Sequence, residues 1–199
     1  MDLQDLKTLL HFHYWARDRV LDAADALTPE QFTRDMGSSF RSIRDTLVHL
    51  YSGEWAWYER WQGTSPAAMI AAAEFPDVST LRAAWSAHAA RMRAYLDSLG
   101  EGGLTRVFEY TTLNGQSGSS VYWHMLQHVV NHGTYHRGQV TTMLRQLGAA
   151  PARSVDLITF YRERGTRAGA ENERVLWGVL WAGRGLAESP EPGWRCIIP

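Results

Sequence analysis

The sequence predicts an all-α protein, a four-helix bundle, on three observations. Four long stretches carry apolar residues at intervals of three, four or seven, the repeat of a helix with one buried face. Each stretch is bounded by a glycine, a proline or a capping side chain. A single segment ahead of the last stretch changes period, and it is short enough to be a hairpin. Four such helices bury their stripes most economically against one another, with a long crossover connection setting the topology.

The first stripe is Leu3, Leu6, Leu10, Tyr14, Leu21, Ala24 and Leu27, and its helix is expected to end near Leu27. In "TPEQ", Thr28 is placed to cap a short helix, Pro29 suits its first position and Gln31 is the reciprocal partner. After a loop with Gly37, Ser42 in "SIRD" suits the cap of a second long helix. That helix runs through Ile43, Leu47, Leu50, Glu54, Trp57 and Trp61 to Gly63. "GTSPAAMIAAAEFPD" is a connector with a proline near each end. The third stripe is Leu81, Trp85, His88, Met92, Tyr95 and Leu99, stopped by Gly100.

"TRVFEYTTLNGQSGSS" brings β-branched and aromatic residues and an Asn114-Gly115 pair, the composition of a small hairpin. The fourth long helix is expected from Ser119 or Ser120 to Leu147, where Gly148 and Pro151 stop it. Beyond it, "SVDLITFYRER" suits one more short helix packed on the bundle, and "GTRAGAENE" has the makeup of a linker. "RVLWGVLWAG" is an apolar turn or two suited to docking on protein. The expected organisation is a bundle over residues 1–164 and a C-terminal extension, 165–199, with a short docking helix.

Composition narrows the function. A formal net charge of -1 supplies no basic field to gather phosphates, so nucleic acid is not an expected partner. No apolar run approaches the ~20 residues that cross a bilayer, so no membrane partner is expected either. The one cysteine, Cys196, supplies neither an internal disulfide nor a thiolate cage, and acids stand in "MDLQDLKTLL" where a signal peptide carries positive charge. A cytoplasmic location is expected. The 9 tryptophans fall mostly at helical spacings, where they fill gaps between helices.

Half of the 8 histidines stand on one line: His124, His128, His132 and His136, each four residues from the next. Residues four apart on a helix are offset by about 40° and about 6 Å, so two imidazoles can converge on one ion. From His124 to His136 the line climbs about 18 Å and turns about 120°, so only one adjacent pair shares an ion well. A third ligand has to come from another helix. His49 on the second long helix is the obvious supplier, because Gly53 one turn later leaves room beside its ring. His88 is the rival, although its place on an apolar stripe favours a packed, hydrogen-bonded role. His11 and His13 read as surface or core residues.

"FRSIRDTLVHLYSGEWAWYERW", followed about 80 residues later by "HVVNHGTYHRGQVTTMLRQLG" and then "PARSVDLITFYRER", resembles the DinB family of small four-helix metalloproteins, which includes the YfiT-like proteins. The resemblance covers roughly residues 3 to 164. It implies a divalent metal, zinc or nickel, held by one side chain of the second long helix and two of the last. Matched by motif, these are His49, His132 and His136. His128 falls where the family pattern often has a histidine outside the three, and His124 matches no family role.

The resemblance further implies a homodimer and a small-molecule substrate. The implied activity is a transferase with a low-molecular-weight thiol, such as bacillithiol, mycothiol or glutathione, as cosubstrate. Three neutral imidazoles leave the ion its full charge and a fourth position open, where a water or thiol becomes the nucleophile. Hydrolysis by metal hydroxide is the competing enzyme reading. A non-catalytic dimer with a structural metal, acting in stress response, is the alternative from another class. Arg137 is expected to point off the ligand face and pair with an acid on a neighbouring helix. Gln139, one turn after His136, is placed to orient a ligand.

Overall fold

The structure, a computed structural model, describes residues 1–165. Helix α1 spans Leu3–Ala24, α2 Pro29–Thr33 and α3 Ile43–Trp61, with a single 3-10 turn at Ala72–Glu74 in the connector that follows. Helix α4 spans Val78–Gly103, strands β1 and β2 span Val107–Thr111 and Ser117–Val121, and α5 spans Tyr122–Gln146. Residues 157–165 are helical as well. By its internal contacts the chain divides into Met1–Leu157 and Ile158–Pro199, and the bundle belongs to the first unit. "RVLWGVLWAG" and Cys196 lie outside the described residues.

Local chemistry sets most of the helix starts. Thr28 accepts from the Gln31 amide while the Gln31 side chain accepts from the Thr28 amide, the reciprocal cap that "TPEQ" predicts. Ser42 accepts from the Asp45 amide and opens α3. Asp2 and Asp5 form a second reciprocal cap at the start of α1, so these acids complete the helix end.

Three boundaries differ from the sequence expectation. Helix α1 gives way to a turn after Ala24, short of Leu27, and Leu27 packs against the core from outside the helix. Regular α4 geometry breaks at Gly100, with φ 60°, and one more turn follows to Gly103. Helix α5 starts at Tyr122 because Ser119 and Ser120 are strand residues, opposite Glu109 and Phe108 in the antiparallel ladder. A serine at a helix start and a serine in a strand look alike in sequence; pairing with β1 decides between them. Asn114 and Gly115 sit in the five-residue loop that joins the two strands.

In the bundle α1 packs on α4 and α5, and α3 packs on the same two, so α1 and α3 lie diagonally opposite. Leu6, Leu10, Leu47, Leu81, Trp85, Leu126 and Leu144 form the heart of the core, each no more than 2 % exposed. Among the described residues no helix is long and apolar enough to cross a membrane.

Candidate metal centre

Three cross-helix contacts fix how α3 and α5 face each other. His49 meets His136 and His132, the Cα of Gly53 backs onto the His132 ring, and Trp57 meets His128. Residue numbers rise on α3 as they fall on α5, so the helices run antiparallel and every turn of one has a counterpart on the other. A β-carbon on Gly53 would stand 3.3 Å from His132 Cε1. The space expected at Gly53 for an ion is therefore taken up by the His132 ring, which the missing side chain lets come close.

His49, His132 and His136 each bring one ring nitrogen into a group whose members all lie within 4.8 Å of one another. His49 Nε2 and His132 Nε2 are 3.0 Å apart. Zinc–nitrogen bonds of about 2.0 Å in a tetrahedron hold ligand nitrogens about 3.3 Å apart, so the set fits a divalent cation. No fourth histidine, cysteine or carboxylate joins this group among the described residues. Burial and the neighbouring His136 lower the His49 pKa to about 4, and burial, His136 and His49 lower that of His132 to about 3. Both are uncharged at neutral pH, the state that offers lone pairs to an ion.

Other side chains orient these rings. Phe40, in the loop before α3, stacks on His49 at 3.8 Å and meets His136 edge-on at 5.3 Å. Gln139 Oε1 lies 2.6 Å from His136 Nδ1, which puts the proton on Nδ1 and leaves Nε2 as the lone-pair nitrogen. His128 stacks on His132, with ring centroids 5.7 Å apart, and is not one of the three. With His124, Leu9, Phe12, Asn131 and Val155 it also borders a cavity of about 750 Å³. His88 is fully buried against Tyr51 and Tyr58, and accepts from Arg91 at Nδ1. It packs in the core, clear of the three-histidine group, and His11 is exposed.

Sequence reasoning passed over a buried polar network next to this group. Glu54, 1 % exposed, accepts from His13 Nε2 at 3.0 Å, from Trp85 Nε1 at 2.8 Å and from the Tyr14 hydroxyl. Burial alone would raise its carboxyl; the hydrogen bond and electrostatic attraction of His13, the nearby His88 ring and the Tyr14 hydroxyl hold it below the usual carboxylate range. Arg137 departs from its expected partner. Among the described residues it contacts no acid directly, but donates to Thr134 Oγ1 at 2.9 Å and to His13 Nδ1 at 3.4 Å, so it reaches Glu54 through the imidazole. The reason is steric: His13 of α1 stands between α5 and α3 at this level. The signal that could have found the network was an acid, Glu54, on the apolar stripe of its helix.

Comparison with known proteins agrees with this architecture. The DinB family model matches residues 2–165. Protein DinB of Bacillus subtilis (strain 168) is 27% identical over 151 residues, which cover 72% of this chain and 87% of that protein. The crystal structure of a DinB-like protein from Bacillus cereus superposes with a TM-score of 0.57 at 15% identity, covering 73% of this chain and 95% of that one, a likeness of fold. The family match spans the four long helices, two of which carry all three clustered histidines, and the chain belongs to the DinB family.

Proposed function

We propose that this protein is a metal-dependent transferase in which His49, His132 and His136 hold a divalent cation, zinc or nickel, and a low-molecular-weight thiol is the cosubstrate. The observation that carries the reading is the convergence of three imidazole nitrogens with no fourth protein ligand among the described residues. A three-imidazole set leaves a bound ion its full charge, and such an ion lowers the pKa of a thiol or water at the open position. Among the described residues there is no cysteine, which favours a small molecule as the source of a thiol.

The chain's own side chains support that use. Gln139 holds the His136 tautomer and Phe40 keeps the His49 ring in place. His49 and His132 are partly exposed, so the centre opens to solvent, which favours exchange of ligands over a closed structural site. A homodimer in the cytoplasm completes the proposal.

Native mass spectrometry of the full chain with added zinc or nickel and a panel of thiols tests it. The expected result is one metal per subunit, a dimer, and thiol adducts that need the metal. Metal without thiol adducts, together with ester or amide hydrolysis, would replace the transferase with the hydrolase. A metal that binds no exogenous ligand would make the ion structural.

A further inference from the structure

At the end of the aromatic wall that flanks the histidine group stands a cation with no counter-charge among the described residues. Arg60, on α3, is 8 % exposed, and among the described residues nothing accepts a hydrogen bond from its guanidinium; its Nε is sealed and unbonded. Stacking holds it instead, 4.6 Å over the Trp57 ring and 5.4 Å from Tyr110. Those two rings meet edge-on at 5.0 Å, Trp57 meets His128 at 5.6 Å, and His128 stacks on His132. The wall is thus continuous from the histidines to the guanidinium. His49 and Arg60 are 11 residues apart on one helix, three turns, which puts them on the same face about 16 Å apart along the axis. The arginine leans back onto Trp57, and on the other side the His132 ring lies against Gly53, one turn after His49, so the span from the histidine group to the guanidinium is about 11 Å.

We infer that Arg60, framed by Trp57 and Tyr110, is the subsite for a carboxylate on the small molecule that binds at the histidine centre. The substrate part of this inference rests on the proposed function; the anion site itself does not. A guanidinium fork matches a carboxylate, no acid among the described residues has to be displaced, and the aromatic frame strengthens charge-assisted bonds by excluding water. A single guanidinium balances one negative charge, which suits a carboxylate better than a phosphate. About 11 Å is the reach of three extended residues. The ligand class is therefore a molecule of tripeptide size, with a metal-binding group at one end and a carboxylate at the other.

The test begins with the metal-free full chain, titrated with acetate at constant ionic strength while NMR follows the Arg60 Nε–H and Trp57 indole N–H resonances. Expected are saturable shifts that acetamide does not produce and that the Trp57 signal loses in Arg60→Met. No saturable shift, an equal response to acetamide, or tighter binding of inorganic phosphate than of acetate overturns the inference. Because this titration needs no metal, failure of the metal reading leaves its outcome intact. The zinc-loaded chain is then titrated with the thiol peptide Cys-Gly-Gly and its C-terminal amide by calorimetry. The acid should bind about tenfold tighter than the amide, a preference lost in Arg60→Met with amide binding unchanged. Equal affinities in the wild-type protein overturn the inference.

Discussion

His136 Nδ1 and Gln139 Oε1 stand 2.6 Å apart on successive turns of α5, and this contact decides which nitrogen of the ring faces the other two histidines. An amide oxygen can only accept, so the imidazole proton sits on Nδ1. Gln139→Ala removes that restraint without touching the three ligand side chains. Metal affinity should fall roughly 10- to 100-fold, measured by competition with a chromophoric chelator, while the melting temperature of the metal-free protein stays close to wild type. An unchanged affinity would show that packing against Phe40 and Tyr135 holds the ring by itself.

The histidine line separates into ligands and bystanders. His132→Ala and His136→Ala should each abolish binding of the single metal equivalent, read by elemental analysis of dialysed protein. His124→Ala and His128→Ala should leave the stoichiometry intact, because neither belongs to the converging group. Metal retained in the first two variants would refute the assignment.

Glycines on α5 predict opposite responses to the same substitution. A β-carbon on Gly133 would lie 2.6 Å from Arg137 Nη1 and 2.7 Å from His13 Cε1, so Gly133→Ala forces apart the arginine and the imidazole that link α5 to α1. Overpacking of this kind costs about 1–3 kcal/mol. Gly138→Ala meets nothing within 4 Å and should stabilise the helix by up to about 1 kcal/mol. Urea denaturation of the two variants beside wild type measures both signs.

Glu54 ties the stability of the bundle to pH. Its carboxyl is lowered from 4.5 to about 2: burial opposes ionisation, but the His13 hydrogen bond and charge, His88 and the Tyr14 hydroxyl outweigh it. A carboxylate depressed in the folded state contributes stability that is complete above its unfolded pKa and lost as pH falls through the folded one. At pH 7, Glu54→Gln should cost on the order of 3 kcal/mol, since it leaves a buried cluster of donors and Arg137 without their anion. Denaturant midpoints should show that gap constant from pH 7 to about 4.5 and shrinking below it. A gap independent of pH down to 3 would mean that Glu54 carries a proton in the native state.

Much of the fold was legible because its determinants are local. Thr28 with Gln31, and Ser42 with Asp45, meet within one turn of chain, and each apolar stripe needs only its own helix to be recognised. The start of α5 was not legible, since Ser119 and Ser120 take strand geometry from β1, a separate segment. At the histidine group, spacing on α5 left every adjacent pair open and left both His49 and His88 as third partners. Family resemblance narrowed them, and the antiparallel register of α3 against α5 brings His49, His132 and His136 together while burying His88 elsewhere. Glu54, His13 and Arg137 come from three helices with one residue each, so no stretch of sequence displays the network they form.

By itself, then, the sequence determined the number and order of the long helices, their caps and the side chains able to ligate, because periodicity and capping act over a few residues of contiguous chain. Tertiary structure alone decided which imidazoles converge, that the His132 ring occupies the space beside Gly53, that Arg137 reaches Glu54 through His13, and that Arg60 lies against the rings of Trp57 and Tyr110. Those outcomes depend on the relative height and rotation of packed helices, which are set by the sum of all interhelical contacts and are encoded at no single position.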